Sequence, residues 1–115
     1  MIKFDERFRE AIESGRKTHT FRTSQKGIPG TVEPIVYVSP GTSKHTVKTV
    51  PDGYVRIINA TVDLTANRDK EQEGFSDHQQ MLQWFEDHLG LGGWDYGIDH
   101  EFEYIGKTPT EEPTT

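Results

Sequence analysis

The chain has 115 residues, 13 Lys and Arg against 19 Asp and Glu, 31% hydrophobic residues, a mean hydropathy of -0.77 and no cysteine. That length holds one domain with a modest core, and the missing cysteine excludes disulfides, Cys-based zinc sites, iron–sulfur clusters and thiol nucleophiles. No apolar run approaches a membrane span and the charged start MIKFDERFRE does not read as a secretory signal, so a cytoplasmic protein with no membrane partner is expected.

In chain order, Phe4, Phe8 and Ile12 recur at helical spacing with Asp5 as N-cap, which predicts a first helix stopped by Gly15. Over residues 16–22, Thr18, Thr20 and Arg22 alternate with Lys17, His19 and Phe21 as a short strand or extended loop. Gly27, Pro29 and Gly30 make a turn-rich connector to a strand over residues 32–38, where Pro34 demands a sheet edge or a bulge. Residues 39–53 hold Pro40, Gly41, Pro51 and Gly53 and read as a loop or loose hairpin.

Residues 54–64 give the strongest strand, with Ile58, Ala60, Val62 and Leu64 on one face and Ile57, Asn59, Thr61 and Asp63 on the other, a central strand with one wet face. After a polar stretch over residues 67–73, a second helix is expected from Ser76, which forms a capping box with Gln79. Asp77 suits the positive end of its dipole. Met81, Leu82, Phe85 and Leu89 form its buried stripe and Gly90 stops it. Trp94 and Tyr96 fall in a Gly-rich loop before a last strand over residues 101–105, and residues 108–115 read as a disordered tail. Two helices among four to six short strands predict an α+β domain over residues 1–107 with a curled or barrel-like sheet.

Charge divides along the chain, +4 over residues 1–56 and -10 over residues 57–115. A basic surface, an acidic tail and two halves that face each other would each produce this. The third fits the two strings SGRKTHTFRT and EQEGFSD, which fall on opposite sides of the divide. SGRKTHTFRT, residues 14–23, sets Arg16, Lys17 and Arg22 among hydroxyls and His19. It is either a solvated basic turn or an oxyanion site. In EQEGFSD, residues 71–77, Glu73 either serves the helix dipole or points into a pocket. If Lys17 and Glu73 met there, nearby Arg16 and Arg22 would push a desolvated Lys17 toward its neutral form, able to take the proton of a threonine hydroxyl. Convergence of Lys17 with Thr20 requires a turn or bulge between Gly15 and Thr20. Trp94 and Tyr96 either stack a base or close one end of the core. The five histidines show no metal spacing and no nucleotide-phosphate motif is present, so neither a metal nor a cofactor is expected.

The order of helix, basic string, Pro29-Gly30 turn, strands, EQEGFSD and second helix resembles the ASCH domain (activating signal cointegrator homology), a small β-barrel related to the PUA fold, over roughly residues 4–105. Its two specific pieces are G-x-K-T-x-T-x-R, here Gly15, Lys17, Thr18, Thr20 and Arg22, and E-G-F-S, here Glu73 to Ser76. The resemblance implies a PUA-like barrel with two flanking helices and a cleft for RNA or nucleotide-like ligands. Some very small bacterial members resemble amidohydrolases that remove the acetyl group of N4-acetylcytidine. That likeness implies Lys17 as base, Thr20 as nucleophile, Glu73 as the orienting or protonating group, and Arg22 holding ligand or oxyanion.

With Arg16, Thr18, Trp94 and Tyr96 as further substrate contacts, the expectation is a metal-independent monomeric amidohydrolase acting on an acylated cytidine or a related nucleoside. The alternative is a non-catalytic module binding single-stranded RNA or a nucleotide. Gly30-Thr31 replaces the family's common Gly-Asp step, and the stretch 40–51 and the Trp94 loop are long enough to reshape the cleft.

Overall fold

The computed structural model describes residues 1–39 and 50–109. Five strands, β1 (Ile2–Asp5), β2 (His19–Arg22), β3 (Val32–Val38), β4 (Gly53–Leu64) and β5 (Tyr96–Gly106), form one sheet in the order β1-β3-β4-β5-β2. β1 runs parallel to β3 and the other neighbours are antiparallel. Two helices, α1 (Arg9–Glu13) and α2 (His78–Leu89), complete an α+β fold.

The expected barrel is not closed. β1 and β2 are the two edges, and no ladder joins them among the described residues. A side chain spans the seam instead, Arg22 Nη2 donating to the Lys3 carbonyl at 2.7 Å. The core lies between the inner face of the sheet and α2, with Phe4, Ile12, Ile35, Tyr37, Val55, Ile57, Met81, Phe85 and Phe102 all buried.

Several elements differ from the sequence reading. Phe4 belongs to β1, not to a helix. Asp5 still caps, its carboxylate accepting from the Arg7 amide, but it caps a 3-10 turn over Glu6–Phe8, and α1 begins only after that turn. The cap of α2 is Asp77, which accepts from the Gln80 amide, so Ser76 lies outside the helix, while Gly90 ends it at φ 70° as expected.

β3 keeps its expected bounds. β1 pairs it only from Ile35 onward, so among the described residues Pro34 lies on a stretch bordered by β4 alone and its missing N–H costs no ladder bond there. β4 is central, but Val55 and Ile57 face the core while Ile58 and Val62 are 46% and 70% exposed. A register shift against β5 between Ile57 and Asn59 breaks the alternation that sequence counting assumes. β5 begins at Tyr96 rather than at residue 101. The loop expected over residues 39–53 and the tail from 108 lie mostly outside the described residues.

Candidate active site

A cavity of about 250 Å³ opens at the seam between β1, β2 and α2, and Lys17, Thr20, Arg22 and Glu73 all line it. Lys17 reaches it because α1 stops at Glu13, Gly15 takes φ 82°, and the Lys17 amide returns to the Ala11 carbonyl at 2.8 Å. The chain becomes a strand only at His19, so strand alternation does not separate Lys17 from Thr20. Thr20 and Phe21, neighbours in the edge strand β2, both line the cavity.

Lys17 is 5% exposed, and its Nζ donates to the main-chain carbonyls of His19 at 2.8 Å and Glu73 at 2.5 Å, with the Phe8 ring 4.7 Å away. Burial pulls the ammonium down from 10.5 to about 8; the positive charges of Arg22 and Arg7 add to that, and Glu73 and Asp99 oppose it. Glu73 comes from a tight loop in which Asp69 accepts from the amides of Glu71 and Gln72. Gln72 in turn accepts from the amides of Thr18 and His19, so this loop is pinned to the segment that carries Lys17. Gly74 follows at φ 92°, and a Cβ there would lie 2.8 Å from Lys17 Cδ, so only glycine lets the lysine pass. The Glu73 carboxyl is 1% exposed; burial first, and then the neighbouring Asp99 carboxyl, hold it well above the usual carboxylate range.

Thr20 is 5% exposed, and its Oγ1 accepts from Arg22 Nε at 2.9 Å. That leaves the threonine proton free for a base while a cation already faces the oxygen that would become an alkoxide. Burial lowers Arg22 to about 10, so it stays charged at neutral pH. His100 fixes the Thr20 backbone. Its Nε2 accepts from the Lys26 amide, so Nδ1 carries the proton and donates to the Thr20 carbonyl at 3.2 Å. Phe8, Phe75, Trp84 and His88 form an aromatic wall, with Trp84 and His88 stacked at 3.6 Å between centroids.

The sequence has no match among protein-family models or curated proteins. Solved structures do match. A DUF984-family protein of Enterococcus faecalis aligns at TM-score 0.63 and 17% identity, over 87% of this chain and 68% of that one. An ASCH protein of Zymomonas mobilis aligns at TM-score 0.62 and 19% identity, over 89% and 66%, and an ASCH domain of Lactobacillus crispatus at 0.52 and 12%, over 84% and 69%. The fold is ASCH-like. The chain spans about two thirds of the length of these neighbours, and at such identities the likeness concerns the ASCH-like fold alone.

Four other expected contacts lie away from the cavity of this ASCH-like protein. Arg16 is exposed and ion-paired with Glu10. Thr18 faces a separate hollow on the other side of Lys17, its hydroxyl 2.8 Å from His19 Nδ1. Trp94 and Tyr96 are 87% and 68% exposed; they neither line the cavity nor close the core, because Tyr96 starts β5 opposite Leu64, the last residue of β4, and Trp94 lies in the turn just before it. The aromatic surface at the site is Trp84, whose place on α2 beside Phe85 sequence reasoning did not connect with a ligand. Arg68, Asp99 and His100 were also missed, since nothing local marks them; strand pairing brings in Asp99 and His100, and Arg68 comes from the turn that follows β4. Among the described residues no group of His, Asp or Glu side chains is arranged to hold a metal, and no helix is long and apolar enough to cross a membrane.

Proposed function

We propose that the protein is a small, metal-independent amidohydrolase that removes the acyl group from an acylated cytidine or a closely related nucleoside. The observation that carries this reading is the convergence of Lys17, Thr20 and Glu73 on one cavity, with Arg22 on the threonine oxygen. A lysine near 8 is a usable base at neutral pH, and a carboxyl held above its usual range is a usable acid. At about 250 Å³ the cavity sits just below the usual ligand-pocket range of about 300–1,000 Å³, a size that suits a nucleoside-sized group.

In this mechanism Thr20 Oγ attacks the amide carbonyl carbon as its proton passes to Lys17. Arg22 offsets the charge on the oxygen that attacks. The C–N bond breaks as Glu73 protonates the leaving amine, which frees the cytosine amino group and leaves an acyl-threonine. Water then attacks the ester and gives a proton to Glu73, and Lys17 returns its proton to the departing Thr20 oxygen. The sum is amide plus water to amine plus carboxylic acid. Such an enzyme would work as a cytoplasmic monomer on free nucleoside.

The test is incubation of the purified chain with N4-acetylcytidine. Release of cytidine, lost in Lys17→Ala and Thr20→Ala, is expected. No cytidine, or full activity in both variants, ends the proposal.

A further inference from the structure

Glu73 has a second carboxyl behind it. Asp99, on β5 and 6% exposed, faces Arg68, whose Nη1 lies 2.5 Å from Asp99 Oδ2 and 3.8 Å from Glu73 Oε2. His19 Nε2 lies 3.8 Å from the same Asp99 oxygen, and Arg68 is also ion-paired with Asp63. Neither Glu73 oxygen nor Asp99 Oδ1 has a donor among the described residues. As two carboxylates, Glu73 and Asp99 would put like charges together in the interior with three acceptors unmet; a single proton between them removes the repulsion and satisfies one oxygen of each carboxyl.

The cations are not shared evenly. The nearest ammonium, Lys17, is held by the main-chain carbonyls of Glu73 and His19. Arg68 makes its close contact with Asp99, where His19 also points, and only its longer contact reaches Glu73. Arg22 faces Thr20, and His100 is turned away toward the Thr20 carbonyl and the Lys26 amide.

We infer that Glu73 and Asp99 hold one proton between them, with Arg68 and His19 fixing Asp99 as the charged partner, so that Asp99 is a positioning residue that keeps Glu73 in its acid form. The use of that proton in catalysis rests on the hydrolase reading; its presence does not. Removing the Asp99 charge takes away the like charge and weakens the acceptor for the Glu73 proton, and it lets Arg68 turn to Glu73 as a carboxylate.

Carbon-13 NMR of the full chain, labelled at glutamate side-chain carboxyls, reads this directly, with Glu73 assigned by the signal lost in Glu73→Gln. The wild-type Glu73 signal should remain that of a protonated acid at neutral pH, and Asp99→Asn should lower its midpoint by about one pH unit or more. An ionised Glu73 in the wild type, or a midpoint unmoved by Asp99→Asn, overturns the inference. Should Asp99→Asn not fold, infrared spectra of the wild type and Glu73→Gln decide. A protonated-carboxyl stretch present at neutral pH in the first and missing from the second supports the shared proton, and its absence from the wild type refutes it. The readout is a proton and not turnover, so an inactive chain with a protonated Glu73 defeats only the hydrolase reading, and an active chain with an ionised Glu73 defeats only this one.

Discussion

Lys17 Nζ lies 2.5 Å from the main-chain carbonyl oxygen of Glu73, 56 positions further along the chain. This contact and the one to His19 occupy two hydrogens of the nitrogen whether it is charged or neutral. Losing a proton therefore takes only the third and puts a lone pair in its place.

That lone pair is the base of the proposed reaction, so Lys17→Met should lower kcat by about 10²–10⁴-fold. Lys17 is drawn down to about 8, and its protonated form cannot accept the threonine proton. Raising the pH from about 6 to 7 should increase kcat/KM for N4-acetylcytidine; a flat or falling steady-state profile over that range contradicts the role.

The Thr20 and Arg22 pair predicts a graded series. Thr20→Ser keeps the oxygen and its Arg22 contact and should retain activity within about tenfold, whereas Thr20→Ala should abolish acyl-enzyme formation. Arg22→Met removes the cation on the attacking oxygen and should cost about 10²–10³ in kcat. Mass spectrometry for an acyl adduct on Thr20 separates loss of the nucleophile from loss of binding.

Stability should follow pH through Glu73. Its folded value is raised above 4.5, so its contribution is full below that value, where both states are protonated. Above it the unfolded chain releases a proton that the folded chain keeps, and stability falls as pH rises toward the folded value. Glu73→Gln removes this slope. Between about pH 5 and 7.5 the Tm of the wild type should drop relative to that of Glu73→Gln, and parallel melting curves would exclude the buried acid.

Gly74→Ala adds a methyl where φ is 92° and Lys17 Cδ is 2.8 Å away. The strained backbone should cost about 1–3 kcal/mol by chemical denaturation, and displaced Lys17 should lower kcat as well. Gly30→Ala, also at positive φ but with nothing within 4 Å, should share the loss of stability and not the loss of kcat.

The two tryptophans separate the sequence reading from the structural one. Trp94→Ala should leave kcat/KM unchanged within about twofold, since the ring is 87% exposed and away from the cavity. Trp84→Ala takes out part of the aromatic wall and should raise KM.

Much of this architecture was legible. β3 and the end of α2 carry their own signals in the apolar run of residues 35–38 after the Pro29-Gly30 turn and in Gly90, and the strings around Lys17 and Glu73 mark the chain segments that line the cavity. Phe4 misled because its spacing to Phe8 and Ile12 is also met by a strand followed by a turn. The buried face of β4 was misassigned because a register shift is set by the partner strand and leaves no local trace. Ser76 and Asp77 are both good caps, and docking of α2 chose between them. Asp99 and Arg68 lie 31 residues apart in segments that read as ordinary polar chain; pairing of β5 with β2 sets Asp99 opposite Phe21, next to the cavity wall. The split of charge along the chain is met in space, with Lys17 from the basic half against Glu73 and Asp99 from the acidic one.

Arg22 holds Thr20 with one nitrogen and the Lys3 carbonyl with another, and Lys3 belongs to a four-residue edge strand whose one ladder among the described residues is with β3. The guanidinium is thus a latch between the nucleophile and the opposite edge of the sheet. Warming that loosens β1 would release Arg22 from its seat while the rest of the sheet persists. Chemistry would then fade at a temperature below the melting transition, and a clamp across β1 and β3 would raise the working range without touching any group that meets the substrate.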